Sequence, residues 1–104
     1  MDKLIDTLEN NRLLKQILGM KAIHNKPTDF IQGEEVVTLN PIDIWDTIKP
    51  GSVGFINTIM HRYKGRPAEH HEFWIISNGV KSRYETHQIL KINIVREFIE
   101  GYRD

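Results

Sequence analysis

Between His70 and Ser77 the chain reads His-His-Glu-Phe-Trp-Ile-Ile-Ser, and between Val80 and His87 it reads Val-Lys-Ser-Arg-Tyr-Glu-Thr-His. Two strand-like runs thus flank Asn78-Gly79, the dipeptide that most favours a type I′ hairpin turn. With Asn78 and Gly79 at the centre of that turn, Ser77 faces Val80. The rungs then continue as Ile76/Lys81, Ile75/Ser82, Trp74/Arg83, Phe73/Tyr84, Glu72/Glu85, His71/Thr86 and His70/His87. Phe73, Ile75, Val80 and Tyr84 share the face assigned to the core. Burying each large side chain there contributes roughly 1.5–3 kcal/mol, and a one-residue slip would expose the whole set. The opposite face places His70 across from His87 and Glu72 across from Glu85.

Elsewhere the spacing of Leu4, Ile5, Leu8, Leu13, Leu14, Ile17 and Leu18 predicts a helix from Asp2 to Leu18, with Asp2 as N-cap and Gly19 as the C′ residue. Leu13 and Ile17 lie nearly opposite Leu4, Leu8 and Leu18, so one stripe cannot bury them all. Either the helix bends near Asn10-Asn11 or part of it packs on another chain. Met20 to Gly33 reads as a connecting loop with a helical turn near Phe30. Glu35 to Leu39 reads as a short strand. Asn40-Pro41 supplies an N-cap and a first helical residue, Asp43 falls at N3, and the short helix 41–48 ends before Pro50-Gly51. Ser52 to Tyr63 is a long strand with a bulge or bend at Gly54, and 64–69 is a loop. After an Asn93 cap, Ile94, Val95, Phe98, Ile99 and Tyr102 keep helical spacing.

The expected fold is α+β: a twisted antiparallel meander, curling toward a small SH3-like barrel, packed by N- and C-terminal helices. It is read as a single domain over 1–104, with helix 1–19, sheet 35–92 including the short helix 41–48, and helix 93–102.

A chain of 104 residues buries about 65% of its unfolded surface and can hold a modest core. It has no cysteine, which excludes disulfides, thiolate zinc sites and cysteine nucleophiles and suits a reducing compartment. Fourteen Lys and Arg balance fourteen Asp and Glu, so any attraction to nucleic acid must be local. The first residues lack a basic start and a continuous apolar run, and no stretch approaches the roughly 20 apolar residues that cross a bilayer. A cytoplasmic protein without membrane contact is expected.

Three constellations carry candidate chemistry. His70, His87, Glu72 and Glu85 offer imidazole and carboxylate donors, which suit zinc or another divalent metal with a position open for water. Glu72 and Glu85 repel across their rung, and Arg83, able to lie over Trp74 and reach Glu72, would relieve this without a metal. Next, His61-Arg62-Tyr63-Lys64-Gly65-Arg66 mixes guanidinium and ammonium groups with an aromatic ring. Arg62, Tyr63, Lys64 and Arg66, with Trp74 and Arg83 nearby, are therefore candidate contacts for RNA or a nucleotide. Last, the aliphatic surplus of Leu13, Leu14, Ile17 and Leu18 beside Met20 suggests a homodimer or a partner protein docked on the N-terminal helix. Ser52, Ser77 and Ser82 sit in no nucleophile-elbow pattern, and Gly51 to Gly54 lacks the lysine of a phosphate-binding loop.

Lys49-Pro50-Gly51-Ser52-Val53, Gly65-Arg66-Pro67 and Ile75-Ile76-Ser77-Asn78 resemble the opening strands of MazF/PemK-type ribonuclease toxins. The resemblance implies an SH3-like barrel and, at Arg66, a role in RNA cleavage. The chain departs from that pattern in having no Ser or Thr after Thr86, where the family's second catalytic position would fall. The leading expectation is a small non-enzymatic binding, accessory or inhibitor protein acting through a protein surface. Its alternatives are an RNA- or nucleotide-binding barrel using the 61–66 loop and a divalent-metal-dependent hydrolase.

Overall fold

The computed structural model describes residues 12–39 and 48–103. In chain order it holds α1 (Arg12–Ala22), β1 (Glu35–Thr38), β2 (Val53–Arg62), β3 (His70–Ser77), β4 (Val80–Glu85), β5 (Ile89–Lys91) and α2 (Ile92–Arg103), with short 3₁₀ turns at Pro27–Asp29 and Thr86–Gln88. One antiparallel sheet runs in the order β4-β3-β2-β1-β5. The first four strands form the expected meander, and β5 returns to pair with β1, so the fold is α+β. The expected Asp2 cap, the bend near Asn10-Asn11 and the helix over 41–47 lie outside the described residues.

The hairpin follows its expected register from Ser77↔Val80 to Glu72↔Glu85. Asn78 and Gly79 both have positive φ, 52° and 78°, as a type I′ turn requires. The last two expected rungs do not form. At Thr86 the chain leaves β4 for the 3₁₀ turn that delivers Ile89–Lys91 to β1. Gln88 Oε1 accepts the Glu85 N–H at 2.9 Å. Asn25, just beyond α1, donates from Nδ2 to the carbonyls of Thr86 at 3.0 Å and Ile89 at 2.6 Å. β5 has too few residues for its period to show in sequence; its pairing with β1 decides it.

Several boundaries differ from the sequence reading. Gly19 does not end α1, which continues through Met20 to Ala22 because Leu18 and Ala22 are wholly buried; packing outweighs glycine's helix cost of about 1 kcal/mol. Asn93 lies inside α2 rather than capping it. Gly54 is not the bulge. A Cβ there would sit 2.7 Å from Ile75 Cγ2 and 2.7 Å from the Ile76 carbonyl, so glycine permits the close approach of β2 to β3. The bulge is at Asn57, where the β2–β3 register shifts between Ile56 and Thr58. The segment before β1 braces it: Gly33 N–H donates to the Ile56 carbonyl at 2.7 Å and Gln32 Nε2 to the Asn57 carbonyl at 2.9 Å.

The sheet separates two apolar clusters. On one side Phe30, Val36, Ile56, Phe73, Ile75, Tyr84 and Ile89 pack together, with Phe30 and Phe73 edge to face at 5.4 Å. On the other, Leu14, Leu18 and Ala22 of α1 and Val95 and Ile99 of α2 cover Val37 and Leu90. Both helices thus lie over the β5–β1 half of one sheet face. The β2–β3–β4 half of that face bears the side chains described next.

Candidate binding surface

The Asn57 bulge reverses the alternation of β2, so Phe55, which pairs with Ile76, shares a face with Thr58, Met60 and Arg62 rather than with Asn57 and Ile59. The pairings set out this face in rungs. Phe55, Ile76 and Lys81 lie nearest the Asn78-Gly79 turn, then Thr58, Trp74 and Arg83, then Met60, Glu72 and Glu85, and last Arg62 with His70. Phe55 is 43% exposed, and Trp74 and Ile76 are half-buried. The cation over the Trp74 ring is the Lys81 ammonium, 5.4 Å from its centroid. Arg83 instead reaches Glu72, with Nη1 3.6 Å from Oε2.

Glu72 organises the far end. Its side chain is only 8% exposed, and it accepts from Arg62 Nε at 3.0 Å and His70 Nε2 at 3.0 Å. Burial by itself pushes the Glu72 carboxyl up, but the hydrogen bonds from His70 and Arg62 and the charge of Arg83 outweigh it and hold the group below the usual glutamate range. His70 Nδ1 faces the Ala68 carbonyl at 2.9 Å. Both ring nitrogens therefore meet acceptors, which only the imidazolium satisfies together. The Ala68 carbonyl, followed by Glu72, raises the His70 pKa accordingly. The Glu72/Glu85 repulsion is thus answered by protein groups, among them Arg62 from the neighbouring strand.

A second histidine group lies on the other side of the same strand ends. His61 and His71, paired across β2 and β3, stack with centroids 4.1 Å apart and 20° between planes. His61 Nε2 bonds the Glu69 carboxylate, which also accepts the Gly65 N–H. The His61 bond is the main cause holding the Glu69 carboxyl below its usual range. Burial, then the neighbouring His61, lowers the His71 pKa. These bonds close the loop after β2, where Tyr63 takes a positive φ of 53° and Gly65 one of 80°.

Of the residues singled out from sequence, the open half of the face gathers Arg62, His70, Glu72, Trp74, Arg83 and Glu85. Tyr63, Lys64 and Arg66 stand exposed on the adjoining loop. His87 is separated from its expected rung and lies on the 3₁₀ turn, with Nδ1 3.7 Å from Glu85 Oε2. Among the described residues no three His, Asp or Glu side chains are gathered as a metal ion needs. Phe55 and Met60 were not singled out from sequence; the bulge that puts them on this face leaves no mark that alternation reveals. No helix among the described residues is long and apolar enough to cross a membrane.

Comparison of the chain with protein-family models, characterised proteins and solved structures finds no match. The likeness of the Gly51, Arg66-Pro67 and Ile75-Ile76-Ser77 stretches to ribonuclease toxins therefore assigns no family, and Arg66 receives no catalytic role from it.

Proposed function

We propose that the protein is a small non-enzymatic binding domain, an accessory or inhibitor protein, that acts through a protein surface on α1, with a second copy of this chain as its partner. The observation that carries this reading is that α1 bears two apolar lines. Leu14, Leu18 and Ala22 are wholly buried in the domain, while Leu13 is 55% and Met20 67% exposed, continued beyond the helix by Ile23 at 63%. Leu13 and Met20 are two turns apart and lie on one line of the helix, with half-buried Ile17 between them. A groove of about 730 Å³ runs beside them, with Met20, Ile23, Leu39 and Pro50 among its walls. A side chain from a two-fold partner fits such a groove, and each large apolar group it covers contributes roughly 1.5–3 kcal/mol.

Sedimentation equilibrium over a wide concentration range tests this. The wild type is expected to show a monomer–dimer equilibrium. Leu13→Lys with Met20→Lys should weaken it at least about tenfold, as a loss of ~1.4 kcal/mol would, with the circular dichroism spectrum and melting temperature retained. A monomeric mass at every concentration would overturn the reading.

A further inference from the structure

We infer that Asn78 is a site of spontaneous backbone modification, where the side-chain amide is lost as ammonia and the chain is rejoined through the side chain as isoaspartate, loosening the β3–β4 hairpin. The site is independent of the partner surface on α1, so the two readings stand or fall separately. Seven asparagines occur in the chain, and Asn78 alone is followed by glycine; the others precede Asn11, Arg12, Lys26, Pro41, Thr58 and Ile94. The reaction begins when the main-chain nitrogen of the next residue attacks the asparagine Cγ. A Cβ on that residue obstructs the approach, and only glycine lacks one. Gly79 also has open space where a Cβ would lie, and the Ser77↔Val80 rung that closes the turn leaves the Gly79 N–H outside the ladder. The side chain is equally accessible. Asn25 Nδ2 is held by the carbonyls of Thr86 and Ile89, and Asn57 Oδ1 accepts from Thr58 Oγ1 at 3.0 Å. Asn78 is exposed, and its amide has no such bond to a described residue.

In the first step Gly79 N bonds to Asn78 Cγ, the Cγ–Nδ2 bond breaks, and Nδ2 departs as ammonia with the proton that Gly79 N gives up. One water then opens the five-membered succinimide, its hydroxyl staying on the carbonyl carbon it attacks and its proton going to the released nitrogen. Attack at the Asn78 main-chain carbonyl leaves isoaspartate; attack at Cγ leaves aspartate. Water is the one co-reactant, and nothing is oxidised or reduced. Asn78 must rotate out of the tight turn for Cγ to meet Gly79 N. β4 is an edge strand paired with β3 alone, so the turn opens by local fraying while the rest of the sheet stays folded. Aspartate keeps the turn, since Asp-Gly favours the same type I′ form. Isoaspartate inserts a methylene into the main chain of a two-residue loop, and that loop sets the register from Ser77↔Val80 to Glu72↔Glu85. The hairpin that carries Phe73 and Tyr84 into the core is thereby weakened from its tip.

The full folded chain, aged at mildly alkaline pH, is digested with trypsin and its peptides are weighed by mass spectrometry. Cleavage after Lys64 and Lys81 isolates Gly65–Lys81, in which Asn78 is the one asparagine, because trypsin passes over the Arg66-Pro67 bond. Asn78 is expected to lose its amide at least about tenfold faster than any other asparagine, since it alone meets an unhindered attacking nitrogen, and more slowly than in the isolated peptide. An isoaspartyl methyltransferase used as a reagent should label the aged peptide, and the labelled fraction should melt several degrees below fresh protein. Asn78→Gly keeps a residue that favours positive φ in this turn and has no side-chain amide. It should take up no label in this peptide and hold its melting temperature through the same ageing. An unchanged Gly65–Lys81 from the folded chain, when the isolated peptide reacts, would overturn the inference. So would ammonia loss spread evenly over the asparagines, or loss at Asn78 without methyl label, since direct hydrolysis to aspartate gives that result. A labelled chain that melts as fresh protein does would overturn the claim that the modification loosens the hairpin.

Discussion

Val36 and Val37 are consecutive and both are wholly buried; Phe73 and Trp74 are consecutive, and only Phe73 is. The two pairs sit in the same sheet and differ in what lies above it. β1 and β5 are covered on one face by the Phe73–Tyr84 cluster and on the other by α1 and α2, so Val36-Val37 and Ile89-Leu90 read as unbroken apolar runs. β3 and β4 have the cluster on one face only, and their sequence alternates Phe73 and Ile75 with Glu72 and Trp74. The half enclosed on both faces has no surface left for a ligand. The other buries one face in the core and leaves the second, with its charged groups and rings, uncovered by either helix.

The largest expected effect separates those neighbours. Phe73→Ala removes a wholly buried ring that meets Phe30 edge to face and should cost about 3–5 kcal/mol. Trp74→Ala, one residue along on the open face, should cost under about 1.5 kcal/mol, since a half-buried ring has less to lose. Urea unfolding followed by far-ultraviolet circular dichroism measures both. Equal losses would mean that the Trp74 face is packed, and the contrast between the two halves would disappear.

The half that alternates was the half legible in the sequence. Asn78-Gly79 fixes the turn and the alternation fixes the faces, so each rung from Ser77/Val80 to Glu72/Glu85 could be written down beforehand. What escaped are places where tertiary pairing overrides a local pattern. The brief β5 is held by β1, and the turn at Thr86 that removes His87 from its rung is held by Asn25 from beyond α1. The Asn57 bulge moves Phe55 and Met60 onto the open face without any turn residue to announce it. In the sequence Arg62 stands out only for its charge in a basic run. Its place beside Glu72 follows from the β2–β3 register, which only that bulge sets.

A smaller effect is expected where the open half is most polar. Glu72→Ala leaves Arg62, His70 and Arg83 facing one another without their carboxylate. Glu72 itself is buried, but its partners are each a third or more exposed, so water screens much of the penalty and the loss should be about 1–2 kcal/mol. Glu85→Ala on the same rung removes a more exposed carboxylate and should cost under ~0.5 kcal/mol. Thermal unfolding of the two variants compares them. A Glu85 effect as large as that of Glu72 would show that the acids of this rung share the cations equally, contrary to the pairing described.

The smallest effect is one of pH, and it opposes His70 to its chain neighbour His71. His70 has its pKa raised, first by the Ala68 carbonyl and then by Glu72. Its stabilising contribution is therefore complete below the unfolded value of about 6.5 and is lost as pH rises through the higher folded value. His71, on the other face of β3, has its pKa lowered by burial and by His61. Its neutral form is favoured, so its contribution is present above about 6.5 and is lost as pH falls through the lower folded value. Proton NMR of the imidazole Cε1–H resonances should place the His70 midpoint above that of a free histidine and the His71 midpoint below it. In Glu72→Ala the His70 midpoint should move down, while that of His71 should move much less, because the charge of His70 is the last and smallest of the causes acting on it. Coincident midpoints, or parallel shifts of both residues in the variant, would show that the two faces of β3 present the same environment.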